Sequence, residues 1–363
     1  MAINRKDRPL LTIAIPTYNR SEYLKRSLEN IITQILEVDN FGESIELVVS
    51  DNCSTDNTAE VIKNLSSKYS FIKYNKNDEN FGSDKNFLKC VLLAKGKFIY
   101  LIGDDDMLLP NSLNGIVDAI ERNQSSSIIM INGFRVASPE FNQTREGLLI
   151  KEPSKIEYFN DKDRFLRTIT LRAITFMSCI IYNNDYLSLI PDLEEGIGTH
   201  FVQTFWLLKT LNVCPKLVIF PFPWVSQGNA EPTINTEEYL EYKSAGQYSE
   251  NRALIVHLQF YSIYLPKICK KYGYKVFTGG IIFSKYLYDV SISTLYDRFR
   301  IKSADTIKRQ TLYKYTKNNI ISWIILYPTI LIPKPLLNFF RPYVLKLIDS
   351  IVLSRFLKSS IQS

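Results

Sequence analysis

Two spacings of apolar residues alternate along the first 135 residues. Short apolar runs predict strands at 10–15, 45–49, 71–74, 97–102 and 127–131. Apolar residues three or four positions apart predict the intervening helices at 21–36, after Thr55 or Asp56, at 83–93 and at 111–120. Strands that alternate with helices form βαβ units, so the predicted fold class is α/β, a mostly parallel sheet flanked by helices.

The pattern changes after residue 135. A looser stretch predicts a helix, a strand, a helix and a strand at 162–171, 177–182, 201–211 and 217–222. From about residue 237 the apolar spacing is helical, with many tyrosines and lysines. The sequence therefore predicts one α/β domain over 1–235 and a helical C-terminal extension over 236–363.

Charge is unevenly spread along the chain. The net charge is +7, and the last hundred residues are rich in Lys and Arg with few acids, which suggests an anionic partner. No zinc-finger, homeodomain or RNP pattern is present, so nucleic acid is not predicted. The segment 319–357 mixes basic residues with apolar pieces that prolines keep too short to span a bilayer. This composition predicts peripheral contact with an anionic membrane.

Cysteine usage indicates the compartment. The five cysteines are widely scattered and form no CxxC pair, which is typical of a reduced protein without disulfides or structural zinc. The first ten residues contain no apolar segment of the kind found in secretory signals. We therefore expect a cytoplasmic protein, peripheral at the inner face of the cell membrane.

A polar cluster follows each of the first four strands. The clusters occupy 16–20, 50–56, 80–86 and 103–106. Ligands of open α/β sheets bind at the carboxyl ends of the strands, so four such loops predict one shared crevice. The last cluster contains three consecutive aspartates, whose mutual repulsion favours a cation, and Mg²⁺ or Mn²⁺ takes one or two carboxylates together with phosphate oxygens. A polar turn before the next helix would explain the aspartates equally well.

These motifs carry a family resemblance. PTYNR, SDNCSTDNT, NFGSDKNF and a DDD after a strand resemble the family 2 glycosyltransferases of the GT-A (Rossmann-like) fold, over about 10–135. CIIYNNDYL, GIGTHF and WVSQGNA are similar to the abequosyltransferase-like branch, which adds dideoxyhexoses in bacterial O-antigen assembly. The resemblance implies a nucleotide-sugar-binding half over 10–135 and an acceptor half over 136–235. It implies an inverting, metal-dependent transfer from a nucleotide-diphosphate sugar to a lipid-linked saccharide in surface polysaccharide synthesis.

The resemblance also implies which residues bind the donor. Asp51 would accept a hydrogen bond from the base, although an Asx-turn that caps the next helix would equally explain it. Asp105 would hold the metal, Asp106 would support the metal site or the helix start, and Gly103 stands where most family members have a first aspartate. The remaining expected nucleotide-sugar contacts are Pro16, Thr17, Tyr18, Asn19, Asn80, Gly82, Asp84, Asn86, Asp104, Gln227 and Asn229.

The acceptor hydroxyl needs a base. The family usually offers Glu-Asp at the start of a helix, and this chain lacks that pair there. His200 occupies the corresponding place, and histidine is a residue type that exchanges protons near neutral pH. Glu194 and Glu195 are the alternatives, and His200 could instead be structural.

The sequence bears on two other classes of function. A sugar-phosphate nucleotidyltransferase would carry a Gly-rich loop after the first strand, whereas this loop reads Pro-Thr-Tyr-Asn-Arg. A non-catalytic sugar- or lipid-binding scaffold would not need an intact acidic cluster. The sequence therefore favours the transferase.

Overall fold

The computed structural model describes residues 8–38, 44–134, 148–150, 153–169, 171–228 and 260–275. The chain divides into two compact units. The first comprises Met1–Gln247 with Ile268–Lys275, and the second Tyr248–Lys267 with Val276–Ser363. The predicted boundary at 235 lies outside the described residues, as does most of the predicted helical region. Of the second unit, residues 260–267 are described, and they form a π-helical turn at Phe260–Tyr264 and the start of a following helix.

The first unit alternates strands and helices in its N-terminal half. In chain order the elements there are β1 (Leu11–Thr17), α1 (Ser21–Val38), β2 (Ile45–Asp51), α2 (Thr58–Ser66), β3 (Ile72–Lys76), α3 (Ser83–Leu93), β4 (Phe98–Leu101), β5 (Met107–Leu108), α4 (Ser112–Arg122) and β6 (Ile128–Phe134). The later elements are β7 (Glu157–Phe159), α5 (Lys162–Thr168), α6 (Leu171–Thr175), a 3₁₀ turn (Met177–Cys179), β8 (Ile180–Asn183), α7 (Asn184–Leu187), α8 (Val202–Val213), β9 (Leu217–Ser226) and α9 (Leu265–Lys271).

One nine-stranded sheet forms the centre of the unit. Its strand order is β3-β2-β1-β4-β8-β6-β9-β5, and β7 pairs with β9. The four strands β3, β2, β1 and β4 are parallel, as the βαβ pattern predicts. Beyond β4 the sheet is mixed, because β8 runs antiparallel to both β4 and β6. The carboxyl ends of β1, β2, β3 and β4 therefore share one edge.

Burial explains why the strands of the N-terminal half were readable from sequence. Every residue of β1 and β2 is buried, so both strands are mainly apolar, with Thr12 and Glu46 as polar exceptions before the polar strand ends. Helix α1 buries one stripe, formed by Leu24, Leu28, Ile31 and Ile35, against this sheet. The five cysteines are all free, as predicted. Among the described helices, none is long and apolar enough to cross a bilayer.

Some predicted elements differ from the structure. The expected helix 162–171 ends at Thr168, where Ile169 is extended, and α6 begins at Leu171. The first three residues of the expected strand 177–182 form a 3₁₀ turn. Strands β5 and β7 were not predicted, because they have two and three residues and depend on pairing with β9.

A buried asparagine on α3 joins the first two strands to this helix. The Asn86 Nδ2 donates to the carbonyls of Ser50, at 3.0 Å, and Thr17, at 3.4 Å. Its Oδ1 accepts from the Ser50 hydroxyl at 2.7 Å and from Asn77 Nδ2 at 3.1 Å. The amide of Asn86 is thus fully used within the protein, and its expected contact with the nucleotide stays a prediction.

Removal of this amide should destabilise the fold. We expect Asn86→Ala to lower the free energy of unfolding by about 2–3 kcal/mol, because buried groups lose their partners. Urea unfolding followed by circular dichroism measures the change. The control Asn64→Ala, at an exposed position of α2, should stay within about 0.5 kcal/mol of the parent. Equal stabilities of the two variants would contradict this role for Asn86.

Candidate functional site

The loops that follow β1, β2 and β4 are hydrogen-bonded to one another at the shared edge. The Thr17 hydroxyl donates to Asp104 Oδ2 at 2.8 Å. The Asn19 N–H donates to the Ser54 hydroxyl at 2.9 Å, and Asn19 Oδ1 accepts from the Thr55 N–H at 2.7 Å. Pro16 is buried within β1, whereas Tyr18 is half-buried beside it. The polar clusters thus meet along one crevice, as their positions after the strands predicted.

Asp104 is buried and paired with a cation. Besides Thr17, it accepts from Arg20 Nη1 at 2.9 Å in a salt bridge. Burial raises the pKa of Asp104, and the neighbouring Asp105 adds to this rise, while Arg20 opposes it without cancelling it. Asp104 therefore serves as an internal anchor between the β1 and β4 loops.

Asp106 is also buried, but no cation compensates it among the described residues. Its Oδ2 accepts from the Ser178 hydroxyl, and its Oδ1 accepts from the Gly228 N–H at 2.7 Å. Burial, and next the charge of Asp105, raises the pKa of Asp106 to about 7. A bound cation would favour the charged forms of these carboxyl groups.

Gly228 lies against the acidic turn. Strand β5 pairs with the end of β9, which brings 226–228 beside 103–106. A Cβ on Gly228 would lie 2.2 Å from the Asp105 carbonyl oxygen, so only glycine fits here. Gln227 is held by its N–H, which donates to the Phe134 carbonyl at 2.9 Å. Asn229 lies outside the described residues.

A cavity of about 240 Å³ opens at this edge. Its polar lining includes Asp105, Asp106, His200, Gln203 and Gln227. The apolar part of its wall is formed by Phe87, Phe176, Met177 and Phe201. Asp105 is the half-buried member of the aspartate triplet, whereas its two neighbours are buried. Asp105 is therefore the carboxylate best placed to meet a ligand.

The donor set fits a cation only in part. In the described part of the chain, no three His, Cys, Asp or Glu side chains converge to form a metal cage. Mg²⁺ and Mn²⁺ do not require such a cage when phosphate oxygens complete their shell. One or two carboxylates at a cavity that contains uncompensated charge fit a metal carried in with a diphosphate. Asp105 and Asp106 are the residues that would hold it.

Asp51 is fully buried at the end of β2. Its Oδ1 accepts from the Ser54 N–H at 2.7 Å, and its Oδ2 accepts from the Tyr74 hydroxyl at 2.9 Å. The first bond closes a local turn, but it does not cap α2, which begins at Thr58 after Asn57. Both oxygens retain a lone pair, so the contact with a base stays a prediction.

The turn before α3 is tied to the β2 loop. Asn80 Oδ1 accepts from Asn52 Nδ2 at 2.5 Å and from the Gly82 N–H at 3.0 Å. Gly82 has a φ of 82°, and a Cβ there would meet open space, so glycine is needed for its backbone conformation. The Asp84 carboxylate turns away from this turn and contacts the backbone of 198–200.

The three expected bases separate in space. His200 is exposed and lines the cavity. Glu194 is exposed and Glu195 half-buried, and neither is among the residues that line the cavity. Of the three expected bases, His200 is the one that lines the cavity.

Glu195 belongs to an ion cluster instead. Its carboxylate pairs with Lys209 at 3.0 Å and Lys271 at 2.7 Å, and accepts from the Tyr272 hydroxyl at 2.9 Å. Burial alone would raise the pKa of Glu195, but the bonds from Lys271, Lys209 and Tyr272 outweigh it and lower that pKa. A carboxylate so stabilised in its charged form is a weak base. It also neutralises the buried Lys209.

Sequence reasoning missed three residues of the site. Arg20 was recognised within its motif, but its pairing with Asp104 depends on a contact across 84 positions. Ser178 holds Asp106 from a turn that had been predicted as strand. Gln203 lines the cavity from α8, and its Oε1 is buried with no hydrogen-bond partner. No local pattern distinguishes Ser178 or Gln203 from ordinary polar residues.

Comparison with known proteins agrees with this geometry. Residues 12–187 match the family model described as glycosyl transferase family 2. The matched residues lie within the sheet and its flanking helices, and the fold is the GT-A fold that the motifs predicted. Abequosyltransferase RfbV of Salmonella typhimurium is 44% identical over 208 residues, which is 56% of this chain and 61% of that protein. The match thus spans about three fifths of this relative.

Solved structures share the fold at low sequence identity. Staphylococcus aureus TarS, residues 1–349, is 14% identical with a TM-score of 0.54, covering 92% of this chain and 87% of that one. Mannosyltransferase PcManGT of Pyrobaculum calidifontis, solved with GDP-Man and Mn²⁺, is 13% identical with a TM-score of 0.51, covering 89% and 85%. At these identities the likeness shows the fold.

The backbone at His200 yields a test of the loop geometry. Its φ of 63° is left-handed, a conformation that glycine adopts without strain. The free energy of unfolding of His200→Gly should therefore exceed that of His200→Ala by about 1 kcal/mol. Urea unfolding of both variants measures this order. At Lys63, exposed within α2, the order should reverse, with glycine about 1 kcal/mol less stable than alanine. If alanine is more stable than glycine at position 200 as well, His200 is not left-handed.

Proposed function

We propose that this protein transfers a sugar from a nucleotide-diphosphate sugar to a lipid-linked saccharide in bacterial surface polysaccharide synthesis. The observation that carries the proposal is one cavity lined by both Asp105 and His200. The reaction needs a carboxylate that holds a metal ion against the diphosphate. It also needs a base, here an imidazole, that accepts the proton of the acceptor hydroxyl. The similarity to an abequosyltransferase supports a sugar transferase of this kind.

The donor would lie along the carboxyl edge of β1, β2 and β4. Thr17, Tyr18 and Asn80 would line the nucleotide, and Asp51 would accept a hydrogen bond from its base. Asp104 would reach the ribose through its remaining lone pairs while it stays anchored to Arg20. Gln227, which lines the cavity, would contact the diphosphate or the acceptor.

The leaving diphosphate gains negative charge as the sugar departs. A Mg²⁺ or Mn²⁺ ion held by Asp105, with Asp106 in support, would stabilise that charge. The position of both carboxyl groups in the wall of one cavity supports this assignment.

His200 would accept the proton of the attacking acceptor hydroxyl. Its exposure at the cavity leaves the imidazole accessible to a substrate. Attack from the side opposite the leaving diphosphate would invert the configuration at the sugar carbon. The pairing of Glu195 with two lysines supports His200 over that carboxylate.

Asp105→Asn should abolish transfer while the fold is retained. Loss of the carboxylate charge should lower the rate more than tenfold, which corresponds to about 1.4 kcal/mol of barrier. Release of nucleoside diphosphate from a panel of UDP-, GDP- and CDP-linked hexoses and deoxyhexoses, with Mn²⁺ or Mg²⁺, measures this rate. Asp118→Asn, at an exposed acid of α4, is the matched control and should keep the parent rate. A variant at Asp105 that keeps more than about a tenth of the rate would exclude the metal-ligand role.

We also propose that the protein acts at the inner face of the cell membrane, where a lipid-linked acceptor lies. The support is the basic and apolar segment 319–357, which lies outside the described residues. Each basic residue near anionic headgroups contributes about 1 kcal/mol to attachment.

Charge removal in this segment tests the membrane contact. Arg341→Gln with Lys346→Gln should weaken binding to phosphatidylserine-containing liposomes about thirtyfold, from the loss of about 2 kcal/mol. Sedimentation of the full chain with liposomes at low salt measures the bound fraction. Lys63→Gln with Lys68→Gln, which alters two exposed residues in and just after α2, is the charge-matched control. If the parent chain stays in the supernatant, the membrane proposal fails.

A further inference from the structure

The loop that carries His200 has an unusual backbone. Its φ angles are positive at Gly196 (108°), Gly198 (86°) and His200 (63°), which are alternate residues. Such alternation turns neighbouring N–H groups to one side, where they form a concavity that binds an anion. The left-handed region is uncommon for residues other than glycine, so contacts from the surrounding structure stabilise this conformation.

Asp84 supplies the anion and the restraint. Its Oδ2 accepts from the Gly198 N–H at 2.8 Å and from the His200 N–H at 2.9 Å. The residue is only 4% exposed, and its Oδ1 is buried with no hydrogen-bond partner. One carboxylate oxygen therefore fixes both N–H groups of a loop more than 110 positions away along the chain.

The remaining hydrogen bonds of this loop in the described residues are local. Thr199 bonds to the Gly196 carbonyl through both its N–H and its hydroxyl. The Ile197 N–H donates to the Glu194 carbonyl at 3.0 Å. These bonds shape the turn but do not fix it relative to α3, where Asp84 lies.

We propose that Asp84 is a positioning residue for His200. By binding the backbone of 198–200 it holds the imidazole at the cavity, without itself lining that cavity. The proposal rests on the proposed function, in which His200 is the base. It differs from the expectation that Asp84 contacts the nucleotide, because the carboxylate oxygen that forms hydrogen bonds faces the backbone of 198–200.

The location of Asp84 connects the loop of His200 to the turn that begins at Asn80. Asp84 follows Gly82 by two residues, at the end of the turn that begins at Asn80 and would meet the donor. The first turn of α3 thus connects the donor side of the cavity to the base. Loss of this connection should therefore reduce turnover, whereas the affinity for the donor nucleotide should remain.

Three variants of Asp84 separate positioning from binding. Asp84→Ala removes both bonds and should lower kcat at least about tenfold, since small misplacements of a reacting group have effects up to a hundredfold. Asp84→Asn keeps an oxygen that can accept both N–H groups, so its kcat should stay within about threefold of the parent. Asp84→Glu displaces the carboxylate by one methylene and should lower kcat in the same direction as alanine. It serves as the second variant if Asp84→Ala does not fold.

A double-mutant cycle tests whether Asp84 acts through His200. In a His200→Ala background, Asp84→Ala should cause less than about a threefold further loss, because the group that it positions is gone. The rates are those of nucleoside diphosphate release from the hexose and deoxyhexose donors named above. Calorimetric titration with UDP, GDP and CDP should give the parent affinity for Asp84→Ala. Asp118→Ala is the control for loss of an acid.

Several results would overturn the proposal. These are a kcat of Asp84→Ala close to the parent value, independent losses in the cycle, and a weakened nucleotide affinity at unchanged kcat, which would return Asp84 to the donor site. If the parent chain releases nucleoside diphosphate from none of the donors, the proposed function is refuted independently of the contact between Asp84 and 198–200. In that case, amide hydrogen exchange over 198–200 tests whether Asp84 holds this loop. Exchange should accelerate in Asp84→Ala but not in Asp118→Ala. Unchanged exchange in Asp84→Ala would refute the role of Asp84 in holding the loop.

Discussion

Three adjacent carboxylates at the carboxyl end of β4 set the constraint on which the site depends. Adjacent negative charges are unfavourable at a buried edge, and the fold gives each a different surrounding. Asp104 is paired with Arg20, Asp106 accepts bonds from Ser178 and Gly228, and Asp105 is left half-buried at the cavity. The three aspartates thereby differ: Asp104 is anchored by a salt bridge, Asp106 is buried with a raised pKa, and Asp105 faces the cavity.

The surrounding strands follow from this arrangement. Asp106 needs donors from two directions, so the turn before β8 and the end of β9 must both approach the acidic turn. Pairing of β5 with β9 brings Gly228 close, and a side chain there would overlap the Asp105 carbonyl. The mixed part of the sheet therefore completes the edge that the parallel strands begin. This is why residues from both halves of the domain line the cavity.

Most of the parallel half could be predicted, because buried strands and amphipathic helices have local signatures. Helix α3 was predicted to the residue, and the four polar loops were correctly assigned to one edge. The rest depends on contacts that no local pattern encodes. Strands β5 and β7 exist through β9, and Ser178 matters only because Asp106 folds against it. Glu195 is a plausible base from sequence alone. In the fold, Lys271 and Tyr272, 76 and 77 positions away, donate hydrogen bonds to its carboxylate oxygens.

A histidine base makes different demands on the fold from a carboxylate at the start of a helix. A helix start fixes its own side chain, whereas His200 precedes α8 in a left-handed conformation that is uncommon for residues other than glycine. Such a loop must be held at both ends. Glu195 holds the entrance through Lys209 and Lys271, and Asp84 holds the exit through two N–H groups. With His200 as the base, the acidic residues around it therefore orient the loop, and the proton transfer is left to the imidazole.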